Sequence, residues 1–131
     1  MEDNFSTEIV SPEKVIFSGN CVMTTLPAYE GDMSILKNHI PIITFLRPGL
    51  IRIKKDSENN EEFFIQDGTV EFFNNILVIL SSSAINTKNL SKKFIDNLKS
   101  ETNEKLSKKD INDKERYILN HQLDVLKEIS A

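Results

Sequence analysis

The sequence predicts a β + α protein, with an N-terminal antiparallel β-sandwich over residues 1–85 and a C-terminal antiparallel two-helix hairpin over residues 86–131. All four glycines and all four prolines lie at or before Gly68, and none follows. Gly and Pro interrupt regular elements, so their absence leaves the second part free to form long helices. The hydrophobic period changes at the same place, from alternation before Ser81 to spacings of three and four after it.

Phe5 to Val10 alternates apolar and polar side chains, the period of a half-buried strand. Ser11-Pro12-Glu13 turns the chain, Lys14 to Phe17 extends it, and Ser18-Gly19-Asn20 turns it again. Cys21 to Leu26 reads as a strand ended by Pro27, and Met33 to Leu36 and Ile42 to Leu46 are short apolar segments around a loop. Arg47-Pro48-Gly49 leads into the alternating Leu50 to Lys55, while Asp56 to Asn60 is polar enough for an exposed hairpin tip. Glu62 to Gln66, Thr69 to Phe73 and Ile76 to Leu80 complete about nine strands, with tight turns at Asp67-Gly68 and Asn74-Asn75. Short strands at this spacing make a sandwich or barrel. The interior candidates are Ile9, Val15, Phe17, Val22, Leu36, Ile43, Ile51, Ile53, Phe64, Val70, Val78 and Leu80.

After Ser81-Ser82-Ser83, Leu90, Phe94 and Leu98, joined by Ile95, form a helical stripe with Asn89 as expected N-cap. Ser107-Lys108-Lys109 breaks that helix and Asp110 is expected to cap the next. Its apolar face holds Ile111, Ile118, Val125 and Ile129, with Leu119, Leu123 and Leu126 beside them. Both stripes are narrow and isolated helices are marginal in water, so the hairpin needs the sandwich or a partner to settle against.

The net charge of −4 hides an asymmetry. Residues 1–84 hold six Lys/Arg against twelve Asp/Glu, or −6, and residues 85–131 hold ten against eight, or +2. An acidic sandwich argues against broad nucleic-acid binding, which needs a cationic surface. The longest apolar run, Ile76 to Leu80, falls far short of the ~20 residues that cross a bilayer. The acidic start, Met1-Glu2-Asp3-Asn4, has no hydrophobic signal core, and the lone Cys21 excludes an internal disulfide. A soluble, cytoplasmic chain is the expectation.

Catalytic chemistry is hard to place. The two histidines, His39 and His121, sit in different halves, the glycines are scattered singly, and no serine lies in a nucleophile elbow. No metal, cofactor or catalytic residue is expected. What stands out is Pro27-Ala28-Tyr29-Glu30-Gly31-Asp32 followed by Asn38-His39-Ile40-Pro41. Gly31 between two acids suggests a backbone position that a side chain would obstruct, and His39 is placed to brace a turn through an imidazole-to-backbone hydrogen bond. The functional reading is a rigid polar loop presented to a partner, with Glu30, Asp32 and His39 on its rim.

Several stretches in order resemble the epsilon-subunit family of bacterial F-type ATP synthases, whose mitochondrial counterpart is called delta. They are Ser11-Pro12-Glu13, Phe17-Ser18-Gly19, Glu30-Gly31-Asp32, Ile35-Leu36, His39-Ile40-Pro41-Ile42 and Arg47-Pro48-Gly49-Leu50-Ile51. The resemblance implies a rotor subunit of the central stalk that binds the gamma subunit and rests on the c-ring, passing rotation to the shaft for ATP synthesis. It implies no catalytic role and an indirect association with the cytoplasmic face of a bacterial membrane, or the matrix face of a mitochondrial one. Glu30, Gly31, Asp32 and His39 are the expected ring contacts. The family's hairpin also brakes ATP hydrolysis by reaching the catalytic head, which would engage Lys108, Lys109, Lys114 and Arg116 with acidic loops of the beta subunits. Some relatives bind ATP through a motif at the start of the first helix, but here Leu90-Ser91-Lys92-Lys93-Phe94-Ile95 keeps only Leu90, so no nucleotide binding is expected. The rival reading is a free-standing ligand-binding sandwich or enzyme of the cupin or lectin kind, which requires a concave pocket with converging polar groups.

Overall fold

Phe5, Thr7 and Ile9 are buried while Ser6, Glu8 and Val10 are less so, so the alternation in the sequence becomes the pleat of a first strand. The computed structural model describes residues 3–130. Met1, Glu2 and Ala131, at the ends of the two predicted units, lie outside the described residues. Ten strands precede two helices: β1 Phe5–Val10, β2 Val15–Cys21, β3 Met23–Ala28, β4 Gly31–Ile35, β5 Ile42–Leu46, β6 Gly49–Lys54, β7 Asn60–Ile65, β8 Gly68–Phe73, β9 Ile76–Leu80, β10 Ile85–Asn86, α1 Lys92–Leu106 and α2 Asp113–Ile129.

The strands run in the order β10-β7-β6-β3-β5-β8-β9-β1-β2, with β4 also on β3. β3 and β5 share one residue pair, Ala28 with Leu46, and the sheet folds over itself at that joint into two layers. Every pairing is antiparallel except β1 with β9, which run parallel from Ser6 opposite Ile76 to Val10 opposite Leu80. No hairpin joins those two strands. They meet at opposite ends of the sandwich sequence, so nothing local forces them to run in opposite directions.

Between the layers lie Phe5, Ile9, Leu26, Ile35, Leu46, Ile51, Ile53, Phe63, Ile65, Val70, Phe72, Leu77 and Ile79. Phe5 meets Phe72 edge to face at 5.7 Å. The buried polar atoms in this core partner one another: Thr7 Oγ1 lies 3.0 Å from both Cys21 Sγ and Thr24 Oγ1.

Eight of the expected interior residues depart from that placement: Phe17 is half-buried against the core, Phe64 lies in a second core beneath the helices, and six others face outward or lie at the edge. Val15, Leu36, Ile43 and Leu80 are exposed, and Val22 and Val78 only half-buried. In β9 the continuous apolar run offers no alternation to read. The pairing of Leu77 with Phe72 and Ile79 with Val70 turns these two inward, and Val78 and Leu80 therefore face out. Leu36 lies beyond the end of β4, and Val15 starts β2 next to a register shift at Ile9 and Val10.

Both expected helix caps move two residues downstream. Asn89 closes a 3₁₀ turn, and Ser91, with extended backbone, caps α1 by accepting the Phe94 amide on its hydroxyl. Asn112 rather than Asp110 caps α2, its Oδ1 accepting the Glu115 amide at 2.8 Å. Asp113 and Glu115 in the first turn complement the helix dipole.

The hairpin lies on the outer side of β6 and β7. Leu50 and Phe64 point outward there, and Ile95, Leu98 and Leu126 bury against them, flanked by Leu90, Phe94, Val125 and Ile129. Phe64, expected in the sandwich interior, belongs to this second core. Between the helices, Gln122 Nε2 donates to Thr102 Oγ1 at 3.0 Å, and that hydroxyl donates to the Leu98 carbonyl.

Candidate interaction surface

Among the described residues, no element covers the outer face of the other layer in this way. Ile43 and Phe45 of β5, Phe73 of β8, and Ile76 and Leu80 of β9 project from it, exposed by 73, 62, 65, 47 and 53%. Pairing sets them in rows across the strands: Phe45, Thr69, Leu80 and Val10 in one, Ile43, Glu71, Val78 and Glu8 in the next, and Phe73, Ile76 and Ser6 in the third. Neighbouring strands lie ~4.8 Å apart, so these side chains crowd one face of three adjacent strands as a patch, with Thr69 and Glu71 of β8 set among them. The patch is built on strands whose inner faces hold the core, which fixes its shape.

One edge of the patch runs into an open groove of about 750 Å³, where Val10, Phe45 and Leu80 meet Tyr29 and the N-terminal turn of α2. Its charged lining residues are Asp67 and Lys114. An open groove with one acid and one base differs from the enclosed, polar-lined pocket that the rival ligand-binding reading requires.

The residues expected to share one polar loop occupy two. Tyr29 and Glu30 form the β3–β4 turn, Gly31 and Asp32 open β4, and His39 lies past the far end of that five-residue strand. The four residue steps from Gly31 to Ile35 span about 13 Å at 3.3 Å per residue. Gly31 has φ 132°, and a Cβ there would meet nothing within 4 Å. The glycine answers a backbone conformation and not a steric obstruction, which corrects the reading from sequence. Gly49 is the obstructed one: a Cβ would sit 2.5 Å from Pro27 Cβ.

His39 braces its turn as expected. Its Nδ1–H donates to the Ile40 carbonyl at 2.7 Å, its amide donates to the Leu36 carbonyl, and its ring edges onto Phe72. Asn38 and Asn75 beside it, both with positive φ, exchange hydrogen bonds of 2.7 and 3.0 Å. Asparagine tolerates this left-handed conformation better than most residues. The result is a stiff two-loop corner. Lys108, Lys109, Lys114 and Arg116 gather, all exposed, around the turn between the helices. Among the described residues, no group of three or more His, Cys, Asp or Glu is arranged to hold a metal.

A polar cluster where α2 meets the sandwich leaves no mark in the sequence. Arg47 Nη1 donates to the Tyr117 hydroxyl at 2.8 Å, and that hydroxyl donates to the Tyr29 carbonyl at 3.0 Å. The same Arg47 nitrogen lies 3.2 Å from His121 Nε2. Burial pushes His121 below its ordinary value and Arg47 pushes the same way, against a smaller opposing pull from Asp124.

The model of the ATP synthase delta/epsilon chain β-sandwich domain matches residues 4–87. The chain belongs to the ATP synthase delta/epsilon chain family. A relative named ATP synthase epsilon chain, from Pelagibacter ubique, is 42% identical over 99% of this chain and all of its own length. Two solved assemblies contain chains of the same fold at 14% identity. One, from the mitochondrial ATP synthase of Euglena gracilis, aligns with a TM-score of 0.72 over 95% of this chain and 78% of its own. The other, from the ATP synthase central stalk and c-ring of Tetrahymena thermophila, gives 0.67 over 96% of each. Among the described residues of this delta/epsilon family member, no helix is long and apolar enough to cross a membrane.

Proposed function

We propose that the chain is a central-stalk rotor subunit of an F-type ATP synthase, seated between the c-ring and the gamma shaft and passing rotation from one to the other. The observation that carries this reading is the uncovered apolar face of β5, β8 and β9, on a member of a family whose relatives are named ATP synthase epsilon chain. A packed sandwich deforms little, so a torque-bearing spacer needs complementary surfaces and a rigid core rather than a reactive group. In this reading the subunit is non-catalytic, the apolar face receives gamma, and membrane association is indirect. The Glu30-Gly31-Asp32 stretch and the His39 corner are then two separate contacts with the ring, one at each end of β4. The sandwich of residues 1–85 carries these contacts, and the hairpin of residues 86–131 is a separable regulatory unit. Its Lys108, Lys109, Lys114 and Arg116 are suited to acidic loops of the catalytic head.

The test is co-purification of the tagged chain from membranes. Fully burying a Phe side chain contributes about 1.5–3 kcal/mol, so Phe45→Asp with Phe73→Asp should weaken gamma binding by roughly 10²–10⁴-fold. Both side chains point away from the core, so far-UV circular dichroism should keep its β signal. Recovery of gamma at the unsubstituted ratio refutes the assignment of this face.

A further inference from the structure

We propose that Tyr29, Arg47, Tyr117 and His121 form a latch that pins the N-terminal half of α2 to the β3–β4 turn in neutral solution and opens on acidification. Hydrogen-bond chemistry is the basis. A guanidinium only donates, so the 3.2 Å contact from Arg47 Nη1 to His121 Nε2 requires a lone pair on that nitrogen. His121 must therefore be neutral, with its proton on Nδ1. The second N–H of Arg47 Nη1 goes to the Tyr117 hydroxyl, which is left to donate to the Tyr29 carbonyl. Tyr117 also packs its ring on those of Tyr29 and His121, at 6.5 and 4.5 Å between centroids.

Protonating Nε2 removes the acceptor and sets an imidazolium against a guanidinium at contact distance. Other charges share the cleft: Asp32 from β4, Arg52 from β6, and Asp124 and Glu128 from α2, while α1 contributes none of its lining. Arg52 is engaged by Glu62 and Glu128, and Asp124 opposes Arg47 only in part. The folded value for His121 lies below the ordinary 6.5. A base depressed in this way stabilises the docked form fully above that ordinary value, and the contribution disappears as the pH falls through the folded value. The apolar side of α2's docking comes from Val125, Leu126 and Ile129, all in its C-terminal half. Opening the latch therefore frees the N-terminal half first.

Amide exchange on the full chain at roughly pH 7.5 and 5.5, which bracket imidazole titration, tests this after correction for intrinsic rates. Amides of α2 from Tyr117 to Leu123 should exchange roughly two- to tenfold faster at the lower pH, the range set by one net hydrogen bond, with β6 and β7 unchanged. His121→Gln, neutral and still able to accept, should keep the slow rate at both pH values, and His121→Lys the fast rate at both. A pH-independent rate in the unsubstituted chain, or the same drop in His121→Gln, overturns the latch. A readout without substitution exists because Tyr29 and Tyr117 are the chain's two tyrosines and it has no tryptophan. Tyrosine emission should change over the same interval, and flat emission also overturns it.

Discussion

Leu126→Ala separates the two cores of this chain. Leu126 is fully buried beneath Leu50 and Phe64 of the sheet and across from Ile95 and Leu98 of α1. Removing its three outer carbons forfeits about 2.4 kcal/mol of transfer free energy at ~0.8 per methylene. The cavity left behind raises the loss into the range of ~2.7–5 kcal/mol. This cluster lies at the edge of the molecule, with Leu50 and Leu98 at 8 and 9% exposure, so partial collapse favours the lower end, about 3 kcal/mol. The polar contacts of Arg47, Tyr117 and His121 remain, worth about one net hydrogen bond of roughly 0.5–1.5 kcal/mol. Helices of 15 and 17 residues are marginal alone. The Arg52–Glu128 ion pair, with side chains 48 and 62% exposed, adds at most about 1 kcal/mol.

The expected outcome is a detached hairpin on an intact sandwich. Amide exchange in α1 and α2 should accelerate by roughly 100-fold, the equivalent of 3 kcal/mol, while β1, β8 and β9 keep their rates. Helical ellipticity should fall and the thermal transition of the strands should stay. Protection lost in step across helices and strands would mean that one cooperative unit unfolds together. Protection kept in the helices would mean that Leu126 does not hold them. Either result refutes the reasoning.

Gly49→Ala should lower stability by about 1–3 kcal/mol in urea denaturation, because the new methyl lands 2.5 Å from Pro27 Cβ in a packed joint. Deleting residues 88–131 should raise ATP hydrolysis by the assembled complex if the basic turn of the hairpin brakes the catalytic head. Unchanged hydrolysis would leave the hairpin a structural part.

Where the sequence alternates strictly it is legible. Leu50-Ile51-Arg52-Ile53-Lys54 places Ile51 and Ile53 inside, and Phe5 to Val10 places Ile9 inside. Where apolar residues run on without alternation the faces are ambiguous, and Ile43, Val78 and Leu80 were expected on the wrong one. A strand apolar on both sides is a signal of its own, because both of its faces need cover. Phe63-Phe64-Ile65 in β7 shows this within the chain, with Phe63 and Ile65 in the sandwich and Phe64 under the helices. Helix existence followed from periodicity, but the caps did not, since Asn89, Ser91, Asp110 and Asn112 are all competent residues. For α1 the choice between Asn89 and Ser91 rests on where the chain leaves β10 and its 3₁₀ turn. The candidate polar loop looked continuous because the apolar run starts only at Met33, while β4 begins at Gly31 and holds the two ends of the stretch apart. The Arg47–Tyr117 and Tyr29–Tyr117 contacts span 70 and 88 residues, and no spacing rule reaches that far.

The two outer faces of the sandwich are built to unequal strength. The face under the hairpin offers Leu50 and Phe64, with Arg52, Lys54 and Glu62 beside them. The open face offers five exposed apolar side chains on three adjacent strands, interrupted by Glu71. Apolar burial scales with area, so a protein seated on the open face has more to gain than the chain's own helices have on the other. Because the two faces belong to opposite layers of one rigid core, the hairpin can be loosened without removing any side chain of the open patch.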